Sequence, residues 1–244
     1  MQAESLLPHC AGTVDGADVV RTTSELAFES YCASRGYAVQ RIRTGGVPTP
    51  DFEARVNNSR VIFEIKELTP NRHDIEQAHE FRTRGTTGGS LDGSRVRGVI
   101  HSAARQLKCF RDERIPTVLV LYDNIVVDGI RPYRARCPYF DPTQIEWAMY
   151  GRHVAEFQLP LRGDPIWLGD RRGGKRQLTG ESRTYISAVA VLAERGEYAW
   201  FFHNYFATVP LSRALLNDER DRHFHNPSHP LKHLAGWVEL ICRS

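Results

Sequence analysis

Asp51, Glu53, Glu64 and Lys66 stand at alternate positions in the segment TPDFEARVNNSRVIFEIKEL, residues 49–68. Side chains alternate across a strand, so apolar and charged residues here separate onto two faces of a hairpin with strands near 51–56 and 61–67. With NNSR (57–60) as the turn, Val56 opposes Val61, Ala54 meets Phe63 and Phe52 meets Ile65. On the other face Asp51 meets Lys66 and Glu53 meets Glu64, opposed residues lying about 5 Å apart at Cβ. Two facing carboxylates repel each other, and a divalent cation relieves that repulsion. Mg²⁺ favours oxygen ligands of this kind, one or two carboxylates completed by water and phosphate. The same residues also fit a solvated hairpin in which Asp51 and Lys66 form a cross-strand ion pair. The spacing leaves both readings open.

The elements that would position these groups follow from periodicity and punctuation. Residues 22–36 predict a helix, with Thr22 and Glu25 spaced as a capping box and Gly36 just past its end. Residues 37–42 predict a strand and 43–49 a loop. Residues 69–98 are polar and Gly-rich, with a short helix near 73–82 and a functional or disordered loop centred on RGTTGGSLDG. A helix is predicted over 96–113. The apolar run 117–124 reads as a buried strand, 141–150 as a helix, 185–194 and 198–207 as further strands, and 211–241 as partly helical.

The 244 residues suit one α/β domain: an irregular segment 1–21, then a single unit with a core over 22–125 and additions over 126–244. No apolar stretch is long enough to cross a bilayer, so no membrane partner is expected. The N-terminus lacks the features of a signal peptide, and the expected location is the cytoplasm. Five widely spaced cysteines without a CxxC argue against a disulfide framework and a zinc ribbon. No GxSxG motif supports serine chemistry. The net charge of +3 is mildly basic, but arginine clusters in RPYRAR (131–136) and RRGGKR (171–176), which fit phosphate contact or solvated loops.

Pro50-Asp51, a twelve-residue gap and then Glu64-Ile65-Lys66 resembles the signature of the PD-(D/E)xK nuclease superfamily. The order helix, strand, hairpin, helix, strand is similar to its core. SELAFESYCASRGYAVQRIRTGG resembles the opening of archaeal-type Holliday-junction resolvases, with Glu25 eleven residues before Gly36. The resemblance covers about residues 22–125; the Gly-rich loop and everything after 125 depart from the minimal resolvase pattern. It implies a restriction-endonuclease-like fold, a central mixed β-sheet flanked by helices, with C-terminal additions. It implies a metal-dependent endonuclease that hydrolyses phosphodiester bonds in DNA with Mg²⁺ or Mn²⁺. Asp51 and Glu64 would bind the ion, with the Ile65 carbonyl and Glu25 as further ligands. Lys66 would orient water or stabilise charge developing on phosphate, and Gln106 would be an auxiliary residue. Such nucleases often pair, so a homodimer is an expectation too. The alternative is an inactive member of the same fold that binds nucleic acid or a protein partner.

Each assignment has a plainer counterpart. Glu25 equally fits the capping box, Glu53 a charged hairpin face, and Gln106 a helix surface. Glu67 follows Lys66 and points the other way. Arg97, Arg105 and Lys108 share a helix face suited to phosphates, and Arg84 and Arg95 flank the Gly-rich loop. His101 begins within reach of that face. His203-Asn204 is a weak site candidate, and the tail histidines His223, His225, His229 and His233 fit no closed zinc site.

Overall fold

The computed structural model describes residues 21–43, 46–85, 93–125, 142–158, 163–164, 166–173, 175–193, 196–226 and 237–240. The first half contains α1 (Thr23–Ser34), β1 (Ala38–Arg41), β2 (Phe52–Val56), β3 (Ser59–Leu68), α2 (Arg72–Arg84), α3 (Ser94–Leu107) and β4 (Thr117–Asp123). It continues with α4 (Pro142–Tyr150), β5 (His153–Gln158), β6 (Ile166–Arg172), β7 (Ile186–Ala193), β8 (Tyr198–His203), β9 (Arg222–His225) and β10 (Val238–Glu239). Eight strands form one mixed sheet in the order β1-β2-β3-β4-β7-β8-β9-β10, and β5 pairs with β6 in a separate ribbon. The chain is thus α/β, as the sequence predicts. β4 and β7 are direct parallel neighbours, so strands from before and after residue 125 share one sheet.

Parity in the central strands explains the layers. Val61, Phe63 and Ile65 of β3, with Val118 and Val120 of β4, pack against Ala27, Phe28, Tyr31 and Cys32 of α1. Ile62 and Leu68 of β3, with Leu119 and Leu121 of β4, pack against Val96, Ile100, Ala103 and Leu107 of α3 and against α4. β3, β4 and β7 run parallel; β4 and β7 are covered on both sides, which is why their sequences are nearly continuous apolar runs, whereas β3 carries Glu64 and Lys66 among its apolar residues. α1 carries the expected capping box, with both reciprocal bonds between Thr22 and Glu25 present. Gly93, at φ +66, opens α3, and a Cβ there would lie 2.6 Å from the Gln144 carbonyl. Its bareness lets α3 and α4 meet.

Four expectations change. The hairpin turn is Asn57-Asn58, both at positive φ, so β3 starts at Ser59 and not at Val61. The helix predicted to 113 ends at Leu107, and a 3-10 turn over Lys108–Phe110 brings Phe110 into the core. β8 stops at His203 because Asn204 turns the chain, donating to the Ile186 carbonyl and accepting from the Phe206 N–H. The described part of the tail forms β9 and β10, besides one 3-10 turn at Arg213–Leu215, where helix was expected. The alternation in RHFH suits a strand that covers the β8 edge, with Phe201 opposite His223 and Phe202 opposite Phe224.

Candidate active site

The register of the hairpin decides what Asp51 faces. The pairs are Phe52 with Phe63, Ala54 with Val61 and Val56 with Ser59. Relative to the expected register this is a slip of two residues, which keeps every side chain on its predicted face but changes its partner. One step beyond the Phe52–Phe63 pair, Asp51 comes opposite Glu64 rather than Lys66. Glu53 comes opposite Ile62 rather than Glu64. A two-residue turn through left-handed backbone is the tight hairpin solution, and asparagine is among the few residues that tolerate it.

The face that carries these groups is not solvated at Glu64, whose exposure is 0% beneath the α3 layer. Neither Glu64 carboxylate oxygen has a well-directed hydrogen bond. The Lys66 ammonium stands 2.5 Å from Oε1 as an ion-pair partner. Burial, reinforced by the neighbouring Asp51 charge and opposed by Lys66, pushes the Glu64 carboxyl up to about 8. Asp51 is fixed differently: its Oδ2 accepts the Ile65 N–H at 2.7 Å, a side chain continuing the backbone ladder where β2 begins. Burial raises the Asp51 carboxyl too, against the lowering effects of the Ile65 N–H and Lys66, and the Glu25 charge adds to the rise. Two carboxyls raised chiefly by burial, Glu64 also by the Asp51 charge and Asp51 by the Glu25 charge, with one nearby ammonium, form a site that favours added positive charge.

Glu25 is near enough to act on Asp51, but its oxygens have other partners. Oε2 accepts the Thr22 N–H and Oε1 accepts from Arg41 at 2.6 Å. Ile65 contributes its N–H to Asp51. Gln106 lies on the flank of the site, its Nε2 donating to the Thr49 carbonyl at 3.4 Å, two residues before Asp51. Glu53 is held by a bidentate pair with Arg60. Glu67 accepts from the Ser24 N–H at the start of α1 and from Asn124. Among the described residues no group of three or more His, Cys, Asp and Glu side chains could hold a metal ion. The Asp51–Glu64 pair suits a cation that takes two carboxylates and completes its shell with water or substrate oxygen. Glu64 supplies two buried oxygens without good hydrogen-bond partners, which is the donor set such an ion requires.

The basic residues divide. Arg84 pairs with Glu80 along α2, and Arg95 is bound to Asp74 and the Thr69 carbonyl. Arg97 is half-buried on α3. Arg105 and Lys108 are exposed, and no acidic side chain pairs with them among the described residues. Arg172 of RRGGKR is not a phosphate contact: it is buried against Glu146 at 2.7 Å, where the acid neutralises it. RPYRAR and the core of the Gly-rich loop lie outside the described residues, as do His229 and His233. His203 and His223 meet at 2.9 Å between β8 and β9, away from Asp51 in the sheet order. Sequence reasoning missed Arg183 and Tyr185. Arg183 reaches His101 across 82 positions of sequence, a separation that no local pattern encodes.

No protein-family model, curated protein or solved structure matches this chain.

Proposed function

We propose that the chain is a metal-dependent endonuclease of PD-(D/E)xK type, with a restriction-endonuclease-like core, acting on DNA. One observation carries the proposal: a fully buried glutamate whose oxygens lack good hydrogen bonds stands opposite a second carboxylate and beside a lysine. A buried carboxylate left in this state is costly, and such groups cluster where chemistry is done. Asp51 and Glu64 would hold Mg²⁺ or Mn²⁺. The ion supplies neutralisation of phosphate charge and a lowered pKa for its bound water.

The protein's own groups have separable tasks. The Ile65 N–H fixes Asp51, so its carboxylate needs little reorganisation on binding. Glu64, raised to about 8 without metal, must lose its proton to act as a ligand, so ion and proton compete and affinity rises with pH. Lys66, 30% exposed at its side chain, can turn from Glu64 toward a phosphate oxygen or its attacking water. There it stabilises developing negative charge. Gln106 positions the Thr49 loop, and Glu25 raises the affinity of Asp51 for positive charge from behind.

The test is plasmid cleavage with Mg²⁺ or Mn²⁺ by wild type, Asp51→Ala and Lys66→Ala. Loss of about 10²-fold or more in rate is expected for each variant; equal cutting by all three overturns the assignment. The close Lys66–Glu64 pair favours one second reading, a site that carries its own counter-ion and is idle. DNA binding without cutting under every metal tried is its expected outcome.

A further inference from the structure

Away from the carboxylates, α3 forms one wall of an open cleft of about 630 Å³. The other wall is the segment that leads into β7, including Arg183 and Tyr185. Four cationic side chains line it, Arg105, Lys108, Arg111 and Arg183, against two carboxylates, Asp112 and Glu181, a net of +2. Arg111 faces Asp112 at 3.1 Å, whereas Arg105 and Lys108 pair with no acid among the described residues.

The cleft is built rather than incidental. Tyr185 donates its hydroxyl to the Ala104 carbonyl at 2.8 Å, which joins the two walls. Arg183 sits at φ +55, a left-handed conformation that costs a non-glycine residue energy. It is held there by its own side chain: one guanidinium nitrogen donates to the Gln177 carbonyl at 2.7 Å, the other to His101 Nδ1 at 2.9 Å. A guanidinium only donates, so in this contact His101 accepts at Nδ1 and presents Nε2–H as a further donor. The exposed ends of the cleft therefore offer cations and N–H donors in a fixed frame, the chemistry that recognises phosphate.

We infer that this cleft grips the phosphate backbone of a DNA duplex away from the phosphate that is cut. The choice of DNA rests on the proposed nuclease function; the phosphate chemistry of the cleft does not. Arg105 and Gln106 are adjacent on α3, about 100° apart around the helix. One turn of α3 thus presents Gln106 to the Thr49 loop and Arg105 to the cleft. A duplex held at the cleft is tethered to the same helical turn that flanks the carboxylates.

The experiment is binding of a labelled 24-base-pair duplex in EDTA, across a salt series, so that no metal chemistry intervenes. Arg105→Gln/Lys108→Gln is compared with wild type and with Arg55→Gln/Arg220→Gln, which removes the same charge from two exposed sites elsewhere. We expect the cleft variant to bind about 10–100-fold more weakly and its log–log salt slope to fall by about 2. The control variant should keep most of the affinity. Both residues of the cleft variant are exposed, so its melting temperature should stay at the wild-type value. Affinity and slope equal to wild type in the cleft variant, an equal loss in the control, or no binding by wild type overturns the inference. If the cleft variant alone loses binding but wild type leaves DNA uncut under every metal tried, the nuclease reading fails and the cleft stands. If wild type cuts and the cleft variant binds normally, the cleft fails alone.

Discussion

Glu64 is the residue on which pH and metal converge. Its folded-state carboxyl is raised to about 8, from an ordinary value of 4.5. A raised pKa gives stability that is full below the unfolded value and lost as pH rises through the folded one. The metal-free protein should therefore weaken between pH 4.5 and 8. Glu64→Gln should remove that slope and raise stability at pH 8 by about 1–3 kcal/mol, read from urea midpoints. Mg²⁺ should raise the melting temperature of wild type at pH 8 and leave Glu64→Gln unmoved; an equal shift in both would place the ion elsewhere. The histidine pair has the opposite sign. His223 donates Nε2–H to the Leu216 carbonyl and takes His203 Nε2–H at Nδ1. Burial lowers both, His203 to about 4. Their stability is present above about 6.5 and lost as pH falls toward 4. His203→Asn should flatten that acid limb, measured as the difference from wild type at each pH. The motif residues were legible because type and spacing carry them. That Glu64 lacks good partners was not legible, since burial under α3 depends on residues thirty or more positions away.

At the scale of elements, the β2–β3 turn sets the site. Asn57 and Asn58 hold φ of 49° and 65°, and this two-residue turn is what brings Asp51 opposite Glu64. Asn58→Gly should be neutral or mildly stabilising. Asn58→Val should cost about 1–2 kcal/mol, because a β-branched residue resists left-handed backbone, with the loss read from thermal unfolding. A four-residue turn was expected because NNSR is polar throughout, and polarity does not separate Ser59-Arg60 as strand from Ser59-Arg60 as turn. Face parity survived the slip because it moved by two, and hydrophobic alternation encodes parity only. α1 and α2 were found within a few residues because their capping boxes are local, whereas α3, which has no side-chain cap, ends six residues before the predicted 113. Arg172 shows the reverse case, since nothing in RRGGKR distinguishes an arginine bound to a buried Glu146 from one that meets solvent.

The whole molecule is tied together by Asp221. It accepts from the Tyr31 hydroxyl at 2.8 Å, from Arg35 through two nitrogens and from the Ala199 N–H. The Arg35–Asp221 pair is buried, at 1% and 0% side-chain exposure. Asp221→Ala should cost about 3–5 kcal/mol, because it strands a buried guanidinium. A chain ending at residue 125 would leave β4 as an edge with its buried apolar residues unpaired on the β7 side. It should fail to give a cooperative unfolding transition by circular dichroism. The sequence reads as one unit with additions after 125, but it does not show that one of those additions, β7, pairs directly with β4 at the centre of the sheet. The bond from Arg35 to Asp221 spans 186 positions, which also orders events in time. At translation speeds of about 5–20 residues per second, α1 leaves the ribosome roughly 10–40 s before its counter-charge is made. During that interval Phe28 can already pack on Phe52 and Phe63, whereas the Tyr31 hydroxyl and the Arg35 guanidinium wait for Asp221, so the C-terminal end of α1 is the part of the helix completed last.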